Sequence, residues 1–173
     1  MAALSGSGNS VIYIGSFSKI LFPGIRIGWI LGDKTLIGYL ESIKRSRNIH
    51  TSSLDQAVFY DYLNCGNFDK YIKKARRVYK EKYEFALKCA KQYIKNREVL
   101  GEGGMHIFIK LKNINSRELL DKCYKRKVIF TPGDVFYVDD KGQDTLRLGF
   151  SRVSKENIKK GFMIIGEEIE KLG

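Results

Sequence analysis

A chain of 173 residues with 43% hydrophobic and 29% charged side chains has the composition of a core-forming globular protein and excludes a disordered one. It is long enough for one domain, or for one small domain plus a piece of another. The formal net charge of +12 raises the question of a polyanionic partner. Much of that charge, however, lies between Lys70 and Arg97 on the polar side of a helical pattern, the usual place for charge on a solvated helix face. No apolar run approaches the roughly 18 residues that a membrane helix needs. No basic segment followed by an apolar stretch marks secretion. Cys65, Cys89 and Cys123 are odd in number and lack CxxC spacing, so they read as reduced thiols of a cytoplasmic protein with no metal site.

Residues 1–10 are small and polar and read as a lead-in loop. Residues 11–14 (VIYI) form a short continuous apolar run, the pattern of a strand covered on both faces in a parallel sheet. A loop follows over residues 16–24, closed by the Pro23-Gly24 turn signal. Residues 25–31 read as a second strand, in which Arg26, Gly28 and Ile30 share one face by the two-residue period. Gly28 there leaves room for a ligand or another backbone.

Helical spacing follows at 34–45, with Leu36, Ile37, Leu40 and Ile43 on one stripe, and from the hydroxyl-rich start at 51–53 to about Leu63. The longest pattern runs from 68 to 94, with Ile72, Ala75, Tyr79, Ala86, Cys89 and Tyr93 near one face. Residues 105–112 alternate as a strand with Met105, Ile107, Ile109 and Leu111 inward. A helix is expected over 116–126 with Ser116 as its cap, strands at 128–130 and 145–150, and a loop between them carrying Pro132-Gly133 and a turn at 139–142. Ser154 caps a final helix whose Ile158, Phe162, Ile165, Ile169 and Leu172 repeat at four-three spacing. The β-α-β-β-α order from residue 105 onward makes this part an α+β fold, helices packed on a small sheet.

The stretch Ser16-Phe17-Ser18-Lys19-Ile20-Leu21-Phe22-Pro23-Gly24-Ile25-Arg26-Ile27-Gly28-Trp29 gathers two hydroxyls, an amine and a guanidinium between two apolar runs. An amine that bonds to a carbonyl cofactor has to be partly deprotonated, and desolvation or nearby positive charge favours that state. A phosphate needs several converging donors, which Ser16, Ser18, the loop N–H groups and the Arg26 fork can provide. His50 and His106 offer no ligand cluster; Tyr13, Phe22, Phe136 and Tyr137 are of types that can edge an active site, though most of them read as aromatic core.

This stretch resembles the cofactor-lysine signature of the fold-type I, class I/II pyridoxal 5′-phosphate (PLP) aminotransferases. The resemblance implies that Lys19 is the Schiff-base lysine, that Ser16, Ser18 and Arg26 hold the cofactor phosphate, and that Gly28 and Trp29 are structural. Further along, Ser53-Leu54-Asp55-Gln56 with Leu63, Gly66 and Arg76-Arg77-x-Tyr79 resembles the 2-aminoadipate and multispecific aminotransferases. The aminotransferase-like half of MocR-type GntR regulators shares this run. Gly103-Gly104-Met105-His106 is similar to the start of the small-domain sheet. Thr131-Pro132-Gly133 with Phe136, then Leu146-Arg147-Leu148-Gly149-Phe150-Ser151, resembles the late block whose arginine grips the substrate α-carboxylate, a role that passes to Arg147. A planar guanidinium suits it, since it binds a carboxylate through two parallel hydrogen bonds.

On this resemblance residues 1–45 are the C-terminal remnant of a PLP-binding large domain. Residues 46–173 are the small C-terminal α/β domain, with a long connecting helix at 68–95. The part of the family that precedes the lysine supplies the ring-stacking aromatic, the acidic partner of the pyridine nitrogen and much of the phosphate cup. None of these is assignable here, so the chain alone is expected to be a poor catalyst. Three readings follow. The first is a piece of a cytoplasmic, homodimeric aminotransferase acting on an amino acid and a 2-oxo acid. The second is the effector-sensing half of a PLP-binding regulator, with nucleic acid as a partner only if a winged helix precedes it. The third is a structural small domain without activity. The two strands around Lys19 are expected to be poorly packed or to pair with another chain, since open strand edges seek partners.

Overall fold

A computed structural model describes residues 11–95, 97–139 and 141–172; the lead-in at 1–10 and Asp140 of the 139–142 turn lie outside the described residues. The chain divides into two compact units between Lys73 and Lys74.

In the first unit, β1 (Tyr13–Ser16) and β2 (Gly28–Leu31) pair antiparallel, with Tyr13 opposite Leu31 and Ser16 opposite Gly28. The expectation of a strand covered on both faces in a parallel sheet is not met: this is a two-stranded ribbon, and Ile14 and Leu31 are 72% and 62% exposed. The second strand is also shorter than its apolar run. Pro23–Ile25 winds into one 3-10 turn and Arg26 takes a left-handed conformation (φ 48°), so the strand begins only at Gly28. Arg26 and Gly28 therefore do not share a strand face. The room at Gly28 is taken by backbone, for a Cβ there would stand 2.7 Å from the Gly15 carbonyl oxygen.

Two helices complete this unit's own elements. Helix α1 (Lys34–Asn48) is capped by Asp33, whose carboxylate accepts from the Thr35 and Leu36 N–H groups. It buries no residue fully; Leu36, Ile37 and Leu40 are half-buried, while Ile43 is exposed. Helix α2 (Ser53–Asn64) starts where Ser52 Oγ accepts from Asp55 N–H, and Phe59 is its buried residue. Helix α3 (Asn67–Tyr93) matches its periodic pattern to within a residue at each end, and the boundary between the units falls within it.

The second unit is built on a four-stranded antiparallel sheet of order β3-β4-β6-β5, comprising β3 (Arg97–Leu100), β4 (His106–Leu111), β5 (Thr131–Pro132) and β6 (Thr145–Gly149). Ile107, Ile109 and Leu111 of β4 and Leu146 of β6 turn to one face. There they form a single core with Ala86, Cys89 and Ala90 of α3, Leu119 and Cys123 of α4 (Ser116–Lys125), and Ile158, Phe162, Ile165 and Ile169 of α5 (Lys155–Leu172). Each large side chain so buried contributes about 1.5–3 kcal/mol.

Three expectations need correction here. Asn115, not Ser116, caps α4, its side chain accepting from the Arg117 and Glu118 N–H groups, while Ser116 is buried. Residues 128–130 enter no ladder; only Thr131–Pro132 pairs with β6. The loop before β6 contains a 3-10 turn at Gly133–Phe136. At the far end of α4, Arg126 bridges to α5 through Glu167 (2.7 Å) and the nearly buried Glu168 (2.9 Å), and Lys171 holds Glu168 as well (2.7 Å).

Candidate functional site: a lysine loop and a strand arginine

Each unit carries one part of the candidate chemistry. In the first unit, the segment between β1 and β2 holds Lys19 and its neighbours. Phe17 anchors it: its ring stands 4.7 Å from Trp29, 4.3 Å from Phe59 and 6.0 Å from Phe68, centroid to centroid. Aromatic pairs at such spacings add to the area they bury. The Phe17 N–H donates to Ile27 O across the loop, and its carbonyl accepts from both Ile20 and Leu21 N–H, which closes a turn over 17–21. Lys19 lies inside that turn and is exposed.

Ser16 Oγ accepts from Ser18 N–H at 3.2 Å. The expectation that loop N–H groups would converge on a phosphate changes accordingly, because those of Phe17, Ser18, Ile20 and Leu21 are spent inside the loop. Side chains are the main donors left over. A hydroxyl that accepts still has its own proton to give, so Ser16 keeps one, and Ser18, the Lys19 amine and the Arg26 guanidinium join it on the same connection. Arg26 reaches back to Pro23 O only at 3.5 Å. Residues 11–32 contain no acid, and their only charges are Lys19 and Arg26. This donor set fits a phosphorylated carbonyl compound: two hydroxyls and a guanidinium for the phosphate, and a solvent-reachable amine for the carbonyl.

In the second unit, Arg147 sits on β6 between Phe108 of β4 and Thr131 of β5. It points to the face opposite the buried Leu146, as the alternation predicts. Its guanidinium carbon lies 4.4 Å from the centroid of the Phe136 ring, and Phe108 meets that ring edge-on at 5.8 Å. A cation over an aromatic face is held without using its N–H groups. Among the described residues no carboxylate pairs with Arg147, so its planar fork is open to one. Sequence reasoning put Phe136 in the same block as Arg147 but missed Phe108 and the contact of the Phe136 ring with the guanidinium. Tyr13, Phe22, Phe136 and Tyr137 are all exposed instead of forming core, and the spacing of Phe136 from Arg147 gives no hint of their contact.

Comparison with known proteins places the chain in a family. The family model for aminotransferase class I and II matches residues 2–165. An uncharacterized aminotransferase of Saccharolobus solfataricus is 36% identical over 163 residues, covering 92% of this chain and 41% of that protein. The HTH-type transcriptional regulator YdfD of Bacillus subtilis, itself uncharacterized, is 33% identical over 94% of this chain and 34% of its own length. The crystal structure of Pyrococcus horikoshii kynurenine aminotransferase, solved in complex with PMP, superimposes with a TM-score of 0.90 at 34% identity, over 98% of this chain and 42% of that one. The chain thus spans about two fifths of the length of the aminotransferases it matches. With the family model matching most of its length and a solved aminotransferase superimposing on nearly all of it, the chain belongs to the class I and II aminotransferase family.

Proposed function

We propose that this chain carries the cofactor-lysine and substrate-carboxylate residues of a PLP-dependent aminotransferase that moves an amino group between an amino acid and a 2-oxo acid. The observation that carries this reading is the acid-free lysine loop, with Ser16, Ser18, Lys19 and Arg26 on one connection, in a chain of this family. PLP, when bound, would supply an electron-withdrawing ring and, attached to it, the carbonyl carbon that takes up the amino group. Ser16, Ser18 and Arg26 would hold the cofactor phosphate, and Lys19 would hold its carbonyl end. Lys19 Nζ, set free when the substrate amine takes its place, would move the proton at the substrate Cα, acting first as base and then as acid. Arg147 binds the substrate α-carboxylate through its fork and so fixes the orientation of the amino acid. In this reading residues 1–45 belong to the cofactor-binding domain and 46–173 to the small domain, within a cytoplasmic homodimer.

The test is chemical trapping. Incubation of the chain with PLP and reduction by borohydride places a phosphopyridoxyl group on Lys19, located by peptide mass spectrometry, and Lys19→Ala loses it. Label spread evenly over surface lysines, or unchanged in Lys19→Ala, would sink the assignment. A second reading, the effector-sensing half of a regulator, is favoured by the resemblance to YdfD. Sequencing upstream of residue 1 separates the two: a winged-helix segment selects the regulator, and with it a nucleic-acid partner.

A further inference from the structure

The second unit contains a cavity of about 420 Å³ to which neither Lys19 nor Arg147 contributes. Its apolar lining comes from both strands and helices, including Ile107, Phe150, Ile158 and Phe162. Its charged lining residues are Arg126, Lys127 and Lys160, and none is acidic. Arg126 is already neutralised by Glu167 and Glu168, whereas Lys127 and Lys160 have no ion-pair partner among the described residues.

Two residues of this wall break local rules. Lys127 follows the C-cap of α4 in a left-handed conformation (φ 62°), a position that ordinarily takes glycine or asparagine. Gly161 lies inside α5, where glycine weakens a helix, and a Cβ built on it would meet nothing within 4 Å. No packing contact therefore demands that glycine; a side chain there would take up space in the cavity. The Lys127 turn is closed by its N–H to Tyr124 O and by Val128 N–H to Cys123 O, whereas no contact compensates the glycine at 161, and an uncompensated departure from local preference marks a functional place. The volume also falls in the range of small-molecule sites, which pair apolar walls with a few polar groups.

We propose that this cavity binds a small amphipathic carboxylate, its apolar tail against the strand and helix side chains and its charged head at Lys127 and Lys160. The site is distinct from the Lys19 loop and from Arg147, and does not depend on the roles given to them.

Calorimetric titration of the full chain at low ionic strength tests this with octanoate, octanol and octylamine. Octanoate binds saturably and at least about tenfold tighter than octylamine, as two exposed cation–carboxylate pairs allow. Gly161→Leu, which fills the cavity and suits a helix, abolishes octanoate binding while circular dichroism shows the fold intact. Lys127→Gly, which suits the left-handed backbone, combined with Lys160→Gln brings octanoate down to the affinity of octanol. The proposal is overturned if octanoate gives no saturable heat. It is equally overturned if octylamine binds as well as octanoate, or if either variant binds octanoate like the parent.

Discussion

Helix α5 contains two glycines five residues apart, and the same substitution at each should act with opposite sign. At Gly166 a new Cβ would run into the Tyr93 carbonyl and lie 2.9 Å from its carbon, an obstacle of backbone that cannot rotate away. The helix has to retreat, loosening the adjoining Ile165 and Ile169, both buried in the core. A gap of about 0.5–1 Å already forfeits a quarter to a half of a dispersion contact, and overpacking of this kind costs roughly 1–3 kcal/mol. Against it stands a helix-propensity gain of about 1 kcal/mol for alanine over glycine. With a rigid obstacle the upper part of the range applies, so Gly166→Ala should lose about 2 kcal/mol net.

At Gly161, where nothing stands within 4 Å, only the propensity gain remains, and Gly161→Ala should gain up to about 1 kcal/mol. Urea unfolding followed by circular dichroism measures both, with the slope checked for constancy so that a shifted midpoint reports stability alone. A Gly166→Ala protein as stable as the parent would refute the close approach of α5 to the end of α3. A destabilised Gly161→Ala protein would refute the open space at that position.

Acid should weaken the second unit through Glu168. Hydrogen bonds from Lys171 and then Arg126 hold its carboxyl below the ordinary value of 4.5. The unfolded chain therefore binds this proton more readily, and the stabilisation, complete above about pH 4.5, is lost as pH falls through the lower folded value. Glu168→Gln should be less stable than the parent at pH 7, with the difference shrinking below that window; a difference that stays constant from pH 7 to pH 3 would refute the pairing. The cysteines should split by burial. Cys65 is exposed, while burial pushes the Cys89 thiol up and, with the Glu168 charge, pushes Cys123 up to about 11. A thiol reagent at pH 8 should label Cys65 quickly in the folded protein and all three thiols in urea; fast labelling of Cys123 without urea would count against the core assignment.

What could be read from the sequence follows from range. The α3 pattern and the alternation of β4 repeat over enough residues for periodicity to settle them, and α5 has a stripe at regular spacing. Strand β3 was missed because its residues, Arg97-Glu98-Val99-Leu100, do not alternate, as befits a charged edge strand recognised only by its partner β4. Asn115 and Ser116 are both good caps, and burial of Ser116, a tertiary effect, decides between them. Residues 25–27 look like strand by composition, yet Pro23 and Gly24 start a turn that carries through Ile25 and leaves Arg26 left-handed. In the candidate site the residue types were legible as a motif. Phe17 as the loop's anchor, the spent N–H groups and the Phe136 ring beside Arg147 depend on partners distant in sequence or on the exact turn.

The β1–β2 ribbon has a consequence for how the chain behaves as a colloid. Among the described residues the ribbon has two open strand edges, and with a run of exposed apolar side chains, Ile12, Tyr13, Ile14, Ile30 and Leu31, they make a sticky patch. The net charge of +12 keeps copies apart, but that repulsion fades over about 10 Å at 0.1 M salt, while apolar attraction does not. Dilute, low-salt solutions are therefore where the separate chain stays dispersed, and added salt drives it to cluster.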